Sequence, residues 1–71
     1  MRKKLVYIEW LPHFRKWRAW NKFAESWYKT FDDFLDSVKR NNLTNYYYFF
    51  SYTERTRKRL AKYKLLKEED K

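Results

Sequence analysis

Residues 45–60, NYYYFFSYTERTRKRL, place six aromatic side chains directly before a cluster of arginines. Aromatic rings can stack on unpaired bases, and Arg and Lys can neutralise phosphates. The same residue types, Arg and aromatics, are also enriched at protein–protein interfaces. The stretch therefore predicts a binding surface.

Read as a strand, the aromatic stretch presents rings on both faces, because successive strand residues point to opposite sides. One row consists of Tyr46, Tyr48, Phe50 and Tyr52, and the other of Tyr47 and Phe49. One helix can cover only one of these rows. We expect the four-membered row to stay exposed for stacking or partner contact, since three of its members are Tyr. The alternative is a C-terminal helix that folds back and buries the second row.

Basic residues form two groups around the aromatic segments. The first is Arg2, Lys3, Lys4, Arg15, Lys16, Arg18 and Lys22, and the second is Arg55, Arg57, Lys58, Arg59, Lys62, Lys64 and Lys67. Either group alone is typical of a solvated face. Together, in a chain of net charge +9, they indicate contact with phosphate. The predicted binding residues are Arg15, Arg18, Tyr46, Tyr48, Tyr52, Arg55, Arg57, Lys58, Arg59 and Lys62.

The remaining polar residues give little support to catalysis. Asp32, Asp33 and Asp36 have the DDxxD spacing of some metal-binding terpenoid enzymes, but helix capping and the helix dipole explain all three. His13 is the single histidine and the chain has no cysteine, which excludes a His–Cys metal site. We expect a protein that is not an enzyme and uses no metal or cofactor.

The composition predicts one small domain. The chain has 71 residues, no disulfide and no glycine, and its 24% aromatic content compensates for its short length. We assign residues 1–66 to the domain and 67–71 to a charged tail. No signal peptide or membrane-spanning run is visible, so we expect a cytoplasmic protein without membrane contact.

The first half of the chain contains one clear strand and one ambiguous segment. Residues 3–11 alternate, with Val6, Ile8 and Trp10 on one side, and Pro12 ends the strand. Residues 13–29 have helically spaced tryptophans, but Thr30 begins a separate helix. Because a new helix begins at Thr30, the preceding segment is better interpreted as a second strand. This strand would pair with the first across a turn at residues 12–14.

The second half predicts helix 30–42 and strand 44–53. Residues 54–66 form either a helix, with a capping box from Ser51 and Glu54, or a returning strand. The fold class is α+β: an antiparallel sheet of three to four strands with one central helix, ββαβ plus a C-terminal strand or helix. The predicted core is Val6, Ile8, Trp10, Phe31, Phe34, Leu35 and Val38.

These features predict a small basic binding protein that contacts nucleic acid or a nucleoprotein complex. The bias toward Lys, Asn, Tyr and Phe suits an AT-rich genome and a phage or mobile element. The alternative is a phage-encoded inhibitor of a host defence protein, of anti-CRISPR or anti-restriction type, which acts by protein–protein binding. The aromatic sheet face can also pair two copies of the chain as a homodimer.

Overall fold

The computed structural model describes residues 3–66, and the predicted tail at 67–71 lies outside them. The elements are β1 (Lys4–Leu11), β2 (Lys16–Trp20), β3 (Glu25–Tyr28), α1 (Phe31–Arg40), a 3-10 turn (Leu43–Asn45), β4 (Tyr47–Phe50) and α2 (Glu54–Lys62). The strands form one sheet in the order β3-β2-β1-β4. Side chains from both helices join one core on the same face of this sheet. The predicted α+β class is confirmed.

The ambiguous segment 13–29 contains two strands. β2 pairs antiparallel with β1, as predicted for the second strand, and its Trp17 and Ala19 are buried. Arg15 takes a positive φ of 51° in the tight turn between them, a conformation usually given to glycine. β3 was not predicted. The Asn21 side chain accepts hydrogen bonds from the backbone N–H groups of Phe23 and Ala24, both at 2.9 Å, and this turn returns the chain along β2.

β4 lies parallel to β1, so the sheet is mixed and not antiparallel throughout. The chain leaves β3 at one edge and crosses through α1, and it re-enters the sheet beside β1 at the other edge. β4 is also shorter than the predicted strand 44–53. Asn42 adopts a left-handed conformation, and a 3-10 turn occupies the first part of that segment.

Local signals explain α1 well. Thr30 accepts a hydrogen bond from the backbone N–H of Asp33 at 3.0 Å, as predicted for a helix cap. Acidic residues occupy the first turn and basic residues the last, which matches the helix dipole. Phe31, Phe34 and Val38 face the sheet and are buried.

The C-terminal segment is a helix, which decides between the two predicted alternatives. The predicted capping box does not form, because α2 begins one residue after Thr53 and the Ser51 hydroxyl accepts from the Thr53 N–H. Leu60 anchors α2 in the core. Beyond the helix, the carbonyl of Leu65 accepts from the N–H of Phe49 at 3.0 Å. This contact covers part of the free edge of β4.

The core contains Val6, Ile8, Trp17, Ala19, Phe31, Phe34, Val38, Phe49, Leu60 and Leu65. Five of the seven predicted core residues are therefore correct, and Leu35 is half-buried against the same cluster. Trp10 was predicted to be buried but is 43% exposed. It lies near the end of β1, where it lines an open cleft beside α2.

Candidate binding surface

The sheet face opposite the helices also carries aromatic rings. Paired residues on neighbouring strands point to the same side, so Trp20, Tyr7 and Phe50 form one row across β2, β1 and β4. Trp27 and Tyr48 lie in adjacent rows, and Tyr52 follows β4. We call this surface the open face, and its members are Tyr7, Trp20, Trp27, Tyr48, Phe50 and Tyr52. Both helices pack on the other side of the sheet.

Tyr7 is the centre of the open face. Its ring centroid lies 4.9 Å from that of Trp20 and 6.3 Å from that of Phe50. Tyr52 stacks on Tyr7 with a centroid separation of 5.3 Å and an interplanar angle of 10°. Tyr52 is itself 72% exposed. The result is a continuous aromatic platform whose outer surface can receive another flat group.

Among residues 3–66, three cations lie over rings of the open face. The Lys3 ammonium lies 4.9 Å from the centre of the Tyr48 ring. The Arg57 guanidinium lies 5.6 Å from the centre of Phe50, and its Nη1 donates to the carbonyl of Ser51 at 2.9 Å. Arg18 is the third of these cations. Contacts of this kind orient the cations around the platform.

Arg18 and two acids organise the β2–β3 side of the open face. Arg18 lies near the rings of both Trp20 and Trp27, and its Nη2 pairs with Glu25 at 2.5 Å. Glu25 also accepts from the Trp27 indole at 3.0 Å, and Glu9 accepts from the Trp20 indole. The two carboxylates therefore hold the indoles in place, and Glu25 offsets much of the Arg18 charge.

The hydrogen bond from Trp27, together with Arg18, lowers the pKa of Glu25 below its ordinary value. A titration of Glu25 followed by NMR should give this lowered pKa, and Trp27→Phe should raise it toward the value in an unfolded peptide. The pKa of Glu25 is lower in the folded protein than in the unfolded chain. Ionised Glu25 therefore stabilises the folded state above the unfolded pKa, and this stabilisation is lost as pH falls through the folded pKa. An unchanged Glu25 pKa in Trp27→Phe would show that this hydrogen bond does not form in solution.

The structure separates the predicted binding residues into several places. Arg18, Tyr48, Tyr52 and Arg57 lie on or beside the open face, whereas Arg55 and Arg59 line the cleft on the helix side. Lys58 and Lys62 are exposed on α2, and Lys58 lies 3.8 Å from Glu54. Arg15 lies in the β1–β2 turn. The ten residues therefore do not form one site.

Tyr46 is 54% exposed, as predicted, but its predicted place in the strand row with Tyr48 and Phe50 is wrong. It precedes β4 in a helical backbone conformation, so the alternation of the strand does not extend to it. Its nearest aromatic neighbour is Tyr47, at a centroid distance of 6.5 Å.

Tyr7, Trp20 and Trp27 were not identified from the sequence as members of the open face. The alternation in residues 3–11 contained a signal for Tyr7, because Tyr7 falls opposite the buried pair Val6 and Ile8. No comparable signal identified Trp27, because β3 was not recognised as a strand.

Among residues 3–66, no group of three or more His, Asp or Glu side chains could hold a metal ion. Neither described helix is long and apolar enough to cross a membrane. Comparisons with protein-family models, curated proteins and solved structures found no match to this chain.

Proposed function

We propose that this chain is a small, basic, non-enzymatic binding protein that contacts single-stranded nucleic acid, alone or within a nucleoprotein complex. The observation that carries the proposal is the open face, where Tyr7, Trp20, Phe50 and Tyr52 form a continuous aromatic platform without a helix over it and with cations at its border. The composition fits a phage or mobile-element origin.

The chemistry of the open face favours unpaired bases. Bases within a duplex already stack on one another, whereas splayed bases can stack on sheet-borne aromatic rings. Such stacking contributes about 1–3 kcal/mol per base and tolerates different sequences. The net charge of +9 adds attraction to the phosphate backbone.

The sharpest test is the salt dependence of binding to a single-stranded oligonucleotide. Arg57 and Lys58 are neighbours on α2, but the Arg57 guanidinium lies over Phe50 at the open face, whereas Lys58 is exposed beside Glu54. Arg57→Gln should lower the slope of log K against log salt by about 0.7, the value for one phosphate contact on a single strand. Lys58→Gln, with the same change of charge, should leave the slope unchanged.

Arg57→Lys supplies a further control because it keeps the charge and should restore most of the slope. Thermal melting of each variant is needed because Arg57 also bonds the carbonyl of Ser51. Equal slopes for Arg57→Gln and Lys58→Gln in folded proteins would overturn the proposed role of the open face.

The alternative function, inhibition of a host defence protein, predicts a different result. Such an inhibitor should bind a protein partner that survives high salt, and it should have no measurable affinity for DNA or RNA oligonucleotides. A pull-down with and without nuclease treatment separates the two functions. Retention of the same partner after nuclease treatment, without oligonucleotide binding, would replace the nucleic-acid proposal with the inhibitor.

A further inference from the structure

A cleft of about 470 Å³ lies on the helix side of the sheet, away from the open face. It forms where the first turn of α2 passes the ends of β1 and β2 near their connecting turn. Its lining consists of Trp10, Trp17, Thr53, Arg55, Thr56 and Arg59. The volume falls in the range of pockets that bind small organic ligands, about 300–1,000 Å³.

Two arginines, Arg55 and Arg59, line this cleft. Arg55 and Arg59 are four residues apart, so they share one side of α2. No ion pair joins either of them to an acid among residues 3–66. Arg59 is also held in position, because its guanidinium lies 4.0 Å from the centre of the Phe31 ring. Two arginines that lie close together and form no ion pair within the described part of the chain favour an anionic ligand.

The backbone and Thr56 add hydrogen-bonding capacity at the same place. The Thr53 side chain does not cap α2, and no residue among 3–66 accepts a hydrogen bond from the backbone N–H groups of residues 54–56. These N–H groups can therefore bind an anion. Thr56 is only 6% exposed, yet it lines the cleft, and its hydroxyl has no hydrogen bond to any residue in the part of the chain described. No fully buried side-chain oxygen among residues 3–66 lacks a partner, so the Thr56 hydroxyl keeps some contact with solvent and can bond a ligand oxygen.

The indole ring of Trp10 lines the same cleft as Arg55, Thr56 and Arg59. Its ring centroid lies 5.5 Å from that of Trp17, and it stays 43% exposed although its strand neighbours Val6 and Ile8 are buried. An exposed indole next to an anion site can stack on a planar ring. The cleft therefore has cationic and N–H groups that can bind an anion, and beside them an indole that can stack on a planar ring.

We propose that this cleft binds a phosphate monoester that carries a planar ring, as a nucleoside monophosphate does. Arg55, Arg59 and the first turn of α2 receive the phosphate, and Trp10 stacks on the ring. The ligand is either a free mononucleotide or the 5′-phosphorylated end of a strand. The site does not depend on the open face, since the two surfaces lie on opposite sides of the sheet.

The test uses AMP as the probe on the full chain, with adenosine and inorganic phosphate as partial ligands. Calorimetry should show AMP binding at least about tenfold tighter than either part, because each part lacks one of the two contacts. In NMR spectra, the amide signals of Arg55 and Thr56 should shift.

Arg55→Gln should weaken AMP binding about tenfold or more, which is the loss expected for a charge-assisted hydrogen bond. Lys58→Gln is the matched control on the same helix, and it should stay within about twofold. Tyr48→Ala on the open face should also leave AMP binding unchanged, so failure of this site is distinguishable from failure of the open face.

A pair of oligonucleotides, 5′-phosphorylated and 5′-hydroxyl, distinguishes the two ligand sources. Tighter binding of the phosphorylated strand that disappears in Arg55→Gln assigns the cleft to strand ends. Equal binding of both strands alongside AMP binding assigns it to a free mononucleotide. The proposal is overturned if AMP does not bind at millimolar concentration, if its shifts map to the open face, or if Arg55→Gln and Lys58→Gln behave alike.

Discussion

Phe34→Ala should lower the unfolding free energy by about 3–5 kcal/mol, the usual cost of truncating a buried ring. Phe34 is 0% exposed. Its ring centroid lies 5.1 Å from that of Phe49 in the sheet and 5.6 Å from that of Tyr28, so it links α1 to both edge strands. Small domains bury a limited apolar area and are marginally stable. A loss of this size should leave much of the variant unfolded, as thermal melting and urea titration can measure.

Leu35→Ala is the matched control for this prediction. Leu35 is the next residue on α1 and is only half-buried, so its truncation removes less apolar contact. We expect a smaller loss of stability than for Phe34→Ala. If Phe34→Ala melts like the unchanged protein, the assignment of the α1 face that packs on the sheet is wrong.

Tyr48→Ala and Phe49→Ala should damage different properties although the two residues are adjacent. Phe49 is 2% exposed and packs on Phe34, so its truncation should cost about 3–5 kcal/mol of stability. Tyr48 is half-buried on the open face, and Lys3 lies over its ring. Tyr48→Ala should lose about 1–3 kcal/mol of single-strand binding, or about 5–150-fold in Kd, while the fold persists.

Both variants require both measurements, a thermal melt and a binding titration. The opposite pattern, an unfolded Tyr48→Ala and a folded Phe49→Ala with weaker binding, would show that the two faces of β4 are reversed. Unfolding of both variants would mean that the open face is structural, and the stacking proposal would then fail.

Elements with strong local signals could be predicted from the sequence. Thr30, the acids after it and the apolar spacing of Phe31, Phe34 and Val38 are enough to define α1. The alternation of side chains between the two faces, with Val6 and Ile8 on the buried one, is enough to define β1. Both patterns depend on residues a few positions apart, and the structure retains these interactions without change.

Elements that depend on distant partners could not be predicted in the same way. Trp20 and Trp27 are seven residues apart, which suits a helix as well as two strands. The turn at Asn21 and the pairing of β3 with β2 select the strands. The parallel pairing of β4 with β1 depends on the path of the chain through α1, which no local pattern encodes.

The residue types of the candidate site can be read from the amino-acid sequence: the net charge of +9, the arginines after residue 53, and two aromatic rows, of which one helix can cover only one. Which of these residues act together depends on the folding of the chain. Tyr7, Trp20 and Phe50 come from three strands and meet because strand pairing aligns them. Each residue of a helix is rotated by about 100° from the one before. For that reason Arg57 reaches the open face, whereas Arg55 and Arg59 line a cleft on the other side of the sheet.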